Sequence, residues 1–211
     1  MAGKTYIAPA KRGESSYEDR KSVFLGHVCP VENEEEASAF VLEMKKKYSD
    51  ARHNVWAYCL HGGAMRSSDD GEPAGTGGAP VLETLTKRGL TDAVIVVTRY
   101  FGGILLGTGG LVRAYTAAAS AALKDAGTVE VVPYLDLSLV CSYGQYGKVT
   151  RLAEKYGAEA ILPEFSDGVR VSLLLQSEDA ERFISELAEA TGGSVNAEIT
   201  GETPLRRPLE N

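Results

Sequence analysis

Ala93-Val94-Ile95-Val96-Val97-Thr98-Arg99-Tyr100-Phe101-Gly102-Gly103, followed by Gly107-Thr108-Gly109-Gly110-Leu111-Val112-Arg113-Ala114-Tyr115, reads as strand, glycine loop and helix in direct succession. The opening run is continuous and mostly β-branched, the pattern of a central strand buried on both faces. The helix-like pattern that follows ends near Gly127. Its middle, Ala117-Ala118-Ala119-Ser120-Ala121-Ala122, is small enough to lie close on a sheet. Working outward, the same alternation recurs. Residues 21–28 read as a strand. Asn33 with Glu36 three residues on is a capping box, opening a helix whose Ala37, Phe40, Val41, Met44 and Tyr48 repeat at helical spacing. Lys45-Lys46-Lys47 close it, where the helix dipole favours cations. Residues 54–61 read as a second strand, and Pro80 suits the first turn of a helix running through Val81, Leu82 and Leu85 to Gly89. This predicts an α/β domain over residues 1–132.

Val132-Pro133 is read as a boundary, with a second domain over residues 133–211. Leu135, Leu137, Leu139 and Cys141 alternate as a strand does. Ser142 is placed to cap a helix carrying Tyr146, Val149, Leu152, Ala153 and Tyr156 and closed by Gly157. Residues 158–165 and 169–175 form a hairpin across Ser166-Asp167-Gly168. Ser177 then caps a helix with Phe183, Ile184 and Leu187 on its core face, and residues 194–199 give the last strand. The order β-α-β-β-α-β predicts a ferredoxin-like module used for binding or spacing, with no cofactor motif and a loose tail beyond Gly201.

At 211 residues and 44% apolar the chain can bury a core. It has no run near the roughly 18 apolar residues that span a membrane. The polar start lacks a signal-peptide centre, so a cytoplasmic protein is expected. Cys29, Cys59 and Cys141 are odd in number and far apart, which favours reduced, half-buried thiols over a disulfide or zinc site. The net charge of −7 is uneven: residues 1–132 hold 15 Lys/Arg against 16 Asp/Glu, residues 133–211 hold 7 against 13. The acidic second part is a poor match for a phosphate backbone, which needs clustered cations. The first part leaves room for local basic patches. Lys4, Lys11, Arg12, Arg20 and Lys21 form a basic leader, read as a solvated tail.

Asp69-Asp70-Gly71-Glu72-Pro73-Ala74-Gly75-Thr76-Gly77-Gly78 joins the second glycine segment to concentrate nine of the 23 glycines. Glycine gives up the most backbone freedom on folding, and Glu72, Arg99, Tyr100, Arg113 and Tyr115 are set among these. A loop that only turned would not need them, so the site is sought here. Val112 stands where a dinucleotide fingerprint needs its third glycine, and Thr108 where a P-loop needs lysine. There is no G-x-S-x-G and no H-E-x-x-H, and His27, His53 and His61 read as ordinary strand histidines. Two readings stay open for the arginines. Arg99 and Arg113, with free backbone N–H groups near Thr108 and Gly109, can hold a small anion such as a phosphate or a partner's carboxylate. Alternatively they pair with Asp69, Asp70 or Glu72 and lock the loops together, which would also make a rigid base for a site. Acid–base or metal chemistry at Asp70 and Glu72 is disfavoured by the lack of nearby histidine or cysteine. Tyr100-Phe101 and Tyr115 are candidates for stacking a base; Tyr100, beside Arg99, is the better one, since the spacing of Tyr115 from Leu111 places it in the core.

In DDGEPAGTGGAP (69–80), VVTRYFGGILLGTGGLVRAYTAA (96–118) and ARHNVWAY (51–58) the chain closely resembles the IMPACT/YigZ family. Its second domain looks like the C-terminal module of the bacterial, YigZ-like members. Gly77 stands where alanine is usual, and Val23 where a basic residue often follows the serine. The resemblance implies a first domain with the fold of the second domain of ribosomal protein S-five, also found in elongation factor G ahead of a ferredoxin-like domain. It implies a link to translation, since the eukaryotic relatives bind the activator of a kinase that senses uncharged tRNA. It carries over no cofactor and no catalytic residue. The expectation is a cytoplasmic, non-enzymatic regulator meeting a ribosome, RNA or translation-control protein rather than a membrane. The expected contact face holds Asp70, Glu72, Gly75, Thr76, Arg99, Tyr100, Gly102, Gly103, Gly107, Gly109, Gly110 and Arg113. The alternative is an enzyme acting on a small phosphorylated or anionic substrate in the same cleft.

Overall fold

The computed structural model describes residues 4–209. In chain order its elements are β1 (Tyr6–Pro9), β2 (Gly13–Asp19), β3 (Ser22–Pro30), α1 (Glu34–Lys47), β4 (His53–Cys59), β5 (Met65–Ser68), α2 (Gly78–Thr86), β6 (Ala93–Tyr100) and α3 (Gly107–Ala126). They continue with β7 (Thr128–Cys141), α4 (Tyr143–Lys155), β8 (Ala160–Phe165), β9 (Val169–Gln176), α5 (Ser177–Thr191) and β10 (Ala197–Pro208). The chain divides into two compact units, chiefly Tyr6–Glu130 and Val131–Arg207.

In the first unit the strand order is β2-β3-β6-β4-β5, with every pairing antiparallel. β6 is central, and its side chains alternate between two cores. Ile95 and Val97 pack with Leu85 of α2 and with Leu111, Tyr115 and Ala118 of α3. Val94 and Val96 pack with Phe40, Val41 and Met44 of α1. Helices therefore cover both faces, which is why β6 is continuously apolar from Ala93 to Val97 although the sheet is antiparallel. Asn33 caps α1 as expected, its Oδ1 accepting from the Glu36 N–H at 2.9 Å, but the reciprocal half of the box does not form: the Glu36 carboxylate accepts from the Glu32 N–H at 2.9 Å instead of from the Asn33 N–H.

Three expectations change. The basic leader is not a tail. β2 pairs along β3 from Gly13 to Asp19, with Arg20 and Lys21 in the turn at φ 47° and 64°. The Arg12 guanidinium meets the Glu43 carboxylate at 2.8 and 3.1 Å. β2 escaped sequence reading because an edge strand with one wet face alternates Glu, Ser and Tyr rather than large apolar residues. β5 is another short polar edge strand and was missed for the same reason. The three cysteines are buried free thiols, deeper than the half-burial expected.

In the second unit β7 pairs with β10 and β9, and β9 with β8, the ferredoxin-like arrangement; β1 also pairs with β7, making the sheet five-stranded. Leu137, Leu139, Val171 and Leu173 pack against Val149 of α4 and Phe183 and Leu187 of α5. β7 runs through Val132-Pro133 without a break. Ser142 and Gln145 form a capping box on α4. Ser177 does not cap α5: its hydroxyl donates to the Pro133 carbonyl at 3.1 Å, and Gln176 holds the N-cap position. Nor is the tail loose. β10 continues to Pro208, with the Thr203 hydroxyl donating to Asp136 at 2.9 Å and Arg207 bonded to Tyr134 and Glu159. Among the described residues no helix is long and apolar enough to cross a membrane.

Candidate functional site

The loop between β5 and α2 is built by its acids. The Asp69 carboxylate accepts from the N–H groups of Gly75, Gly77 and Gly78 at 2.9, 2.9 and 2.8 Å, and so caps α2 from a distance in sequence. Burial alone would raise this carboxyl, but the three backbone donors outweigh it and hold it below the usual carboxylate value. Asp70 takes the Asn54 N–H at 2.7 Å and the Lys45 ammonium at 2.6 Å. Asn54 in turn accepts from the Thr98 hydroxyl of β6 at 2.7 Å. Thr76 is buried, its hydroxyl donating to Pro73 O at 2.7 Å.

Glu72 turns inward. Its Oε1 accepts from Arg99 Nη1 at 2.7 Å and from the Tyr115 hydroxyl at 2.8 Å. The two glycine segments therefore meet through one carboxylate. The Arg99 guanidinium also lies 5.5 Å from the ring centres of both Phe24 and Phe101. Burial, then the Glu72 charge, pushes the Tyr115 phenol far above its ordinary value, so it stays a donor. Of the two readings open for the arginines, Arg99 takes the internal ion pair and its charge does not face solvent. Its place on a strand apolar on both faces turns it toward Phe24 and α3. Asp70 and Glu72 are likewise engaged by internal donors and form part of the loop's frame.

Arg113 is different. It is exposed, and among the described residues it has no acidic partner. Its Nη1 lies 3.6 Å from where a Gly109 Cβ would sit, over the first turn of α3. That turn starts from Leu106 with no side-chain cap and no acidic residue. The N–H groups of Gly107, Thr108 and Gly109 are therefore bare at the positive end of the helix dipole, with a cation added. Gly109 has no steric need to be glycine, since Arg113 is all that a Cβ would meet. Gly102 does have one: a Cβ there would stand 2.0 Å from the Lys21 carbonyl carbon. Gly75, Gly103 and Gly107 are exposed, whereas Gly110 is buried against Leu106. The Tyr100 hydroxyl donates to Asp50 at 2.8 Å.

The expected face thus separates into a buried frame of Glu72, Thr76, Arg99 and Gly110, half-buried Asp70, Tyr100 and Gly102, and an exposed rim of Gly75, Gly103, Gly107, Gly109 and Arg113. Phe101, expected beside Tyr100 as a stacking surface, is 51% exposed next to the rim, and sequence reasoning missed its neighbours Ile104 and Leu105, 44% and 80% exposed. It also missed Arg20, whose guanidinium donates to Leu105 O at 3.2 Å. The polar turn Asp19-Arg20-Lys21-Ser22 between two alternating stretches was the available signal.

A Haemophilus influenzae IMPACT family member is 39% identical to this chain over 193 residues, covering 89% of this chain and 93% of its own. The chain belongs to the IMPACT family. In this IMPACT-family protein the Impact N-terminal domain profile matches residues 20–123, which contain every residue of the frame and rim. A domain of unknown function, DUF1949, matches residues 139–194. IMPACT family member YigZ of Escherichia coli is 33% identical, over 91% of this chain and 96% of its own. A crystal structure of a hypothetical protein superposes with a TM-score of 0.64 at 32% identity, covering 94% of this chain and 98% of its own.

Proposed function

We propose that this IMPACT-family protein is a cytoplasmic binding protein of translation control that meets RNA or a protein partner through the exposed glycine rim. The observation that carries this reading is Arg113, without an acidic partner among the described residues, over the uncapped first turn of α3. A cation there opposes the helix dipole, and glycine in a helix costs about 0.5–1 kcal/mol against alanine. Both costs are offset when an anionic group sits on the bare amides between them. The Glu72–Arg99–Tyr115 pairing supplies the rigid base beneath. The resemblance of the first domain to folds used in ribosomal protein S-five and elongation factor G favours a ribosomal or RNA setting, by fold analogy. The test is co-sedimentation with ribosomes at low and moderate salt, comparing wild type with Arg113→Ala. The reading expects salt-sensitive association that Arg113→Ala removes while the protein stays folded. Equal association of both proteins, or none by wild type, overturns it.

A further inference from the structure

We infer that a single strand of nucleic acid lies along the groove between α2 and α3, its phosphates following one basic face of α3. This rests on the reading above and names the partner's chemistry. Two depressions of about 480 and 130 Å³ share Arg88 and Ser120 in their walls and so form one groove beside these helices. Arg113, Thr116, Ser120 and Lys124 repeat at intervals of three and four on α3, so they lie on one face. From Arg113 to Lys124 the helix rises about 16 Å, long enough for several consecutive phosphates. Arg88 and Lys87 face this stripe from the end of α2, and Lys124 and Arg88 are exposed with no acidic partner among the described residues. Glu83 is the one acid in the described walls, and it pairs with Lys87 at 2.9 Å. A local excess of cations on a chain of net charge −7 is a directed feature.

The lining also chooses the class of partner. Protein interfaces are anchored by large apolar side chains in desolvated pockets, and none of the exposed large hydrophobic residues lies in this groove. Hydroxyls and long cations are the groups that contact phosphate and sugar. Depressions of this size beside two helices fit one sugar-phosphate strand rather than a duplex. The bare amides and Arg113 continue the same track at its far end.

The test is fluorescence anisotropy with labelled oligo(U) and oligo(dT) of about twelve nucleotides, within the range of single-strand site sizes, and with an oligoglutamate peptide as the acidic-peptide arm. The proteins are wild type, the exposed double variant Arg88→Gln/Lys124→Gln, and Arg113→Ala. Wild type is expected to bind an oligonucleotide, the double variant at least tenfold more weakly, with the slope of log affinity against log salt shallower by about two. Wild-type strength in the double variant alongside loss in Arg113→Ala overturns the groove and leaves the rim reading standing. Tighter binding of oligoglutamate than of either oligonucleotide overturns it in favour of an acidic peptide. Failure of wild type to bind either oligonucleotide also overturns it, and ribosome co-sedimentation then judges the rim reading separately.

Discussion

Arg99 and Glu72 meet at 2.7 Å with their side chains only 7% and 3% exposed, joining the end of β6 to the loop before α2. Removing one member of a buried pair strands the other charge away from water, at a cost of about 3–5 kcal/mol. Arg99→Ala is therefore expected to lower the denaturation midpoint of the first unit strongly, whereas exposed Arg113→Ala stays within about 0.5 kcal/mol of wild type. Urea unfolding of the two variants checks this. Equal stability of all three proteins would show that the pair does not hold the loops.

Two glycines of the site should respond in opposite directions. Gly102→Ala forces a methyl against the Lys21 backbone at 2.0 Å, and overpacking of this kind costs about 1–3 kcal/mol. Gly109→Ala fills open space in a helical turn and should gain about 0.5–1 kcal/mol while weakening ribosome association. Thermal unfolding and co-sedimentation read the two effects. A Gly109→Ala protein that is more stable and binds as well as wild type would remove the reason for glycine at that position.

Asp69 sets an acid limit. Its carboxyl is held below the ordinary value in the folded protein by the amides of Gly75, Gly78 and Gly77 acting against burial. A depressed folded pKa means that the unfolded chain takes up the proton first. The stabilisation is then complete above the unfolded value, about 4, and is lost as pH falls through the lower folded value. Asp69→Asn should be less stable than wild type at neutral pH, with the difference shrinking below about pH 4. Denaturant titrations across that range decide it, and a constant gap would assign the loss to packing instead.

A chain ended after Thr200 removes the outer part of β10, including the Thr203–Asp136 bond and the contacts of Arg207 with Tyr134 and Glu159. The second unit of the truncated protein is expected to melt at a lower temperature by calorimetry. Unchanged melting would make those residues dispensable.

What could be read in advance was local. The Asn33 cap on Glu36 and the Ser142–Gln145 box lie within one helical turn, so spacing alone exposes them. The order of the second unit followed from alternation and turn residues. Edge strands were lost because β2, β5 and the outer half of β10 satisfy the sheet with backbone bonds and leave polar side chains in water. The direction of Arg99 was hidden for a different reason. β6 is apolar on both faces, so neighbouring residues carry no inside–outside signal, and only its register with β3 and β4 turns that guanidinium toward Phe24. Arg113, for which both readings stood open, faces outward because the small-residue face of α3 leaves one side for solvent.

With helices over both faces and strands along both edges, β6 has no route to a partial opening. Its peptide protons at Val94, Ile95, Val96 and Val97 should be among the slowest to trade for deuterium, and only when the whole first unit comes apart. Their protection becomes a gauge that any bound guest must move, wherever on that unit the guest sits.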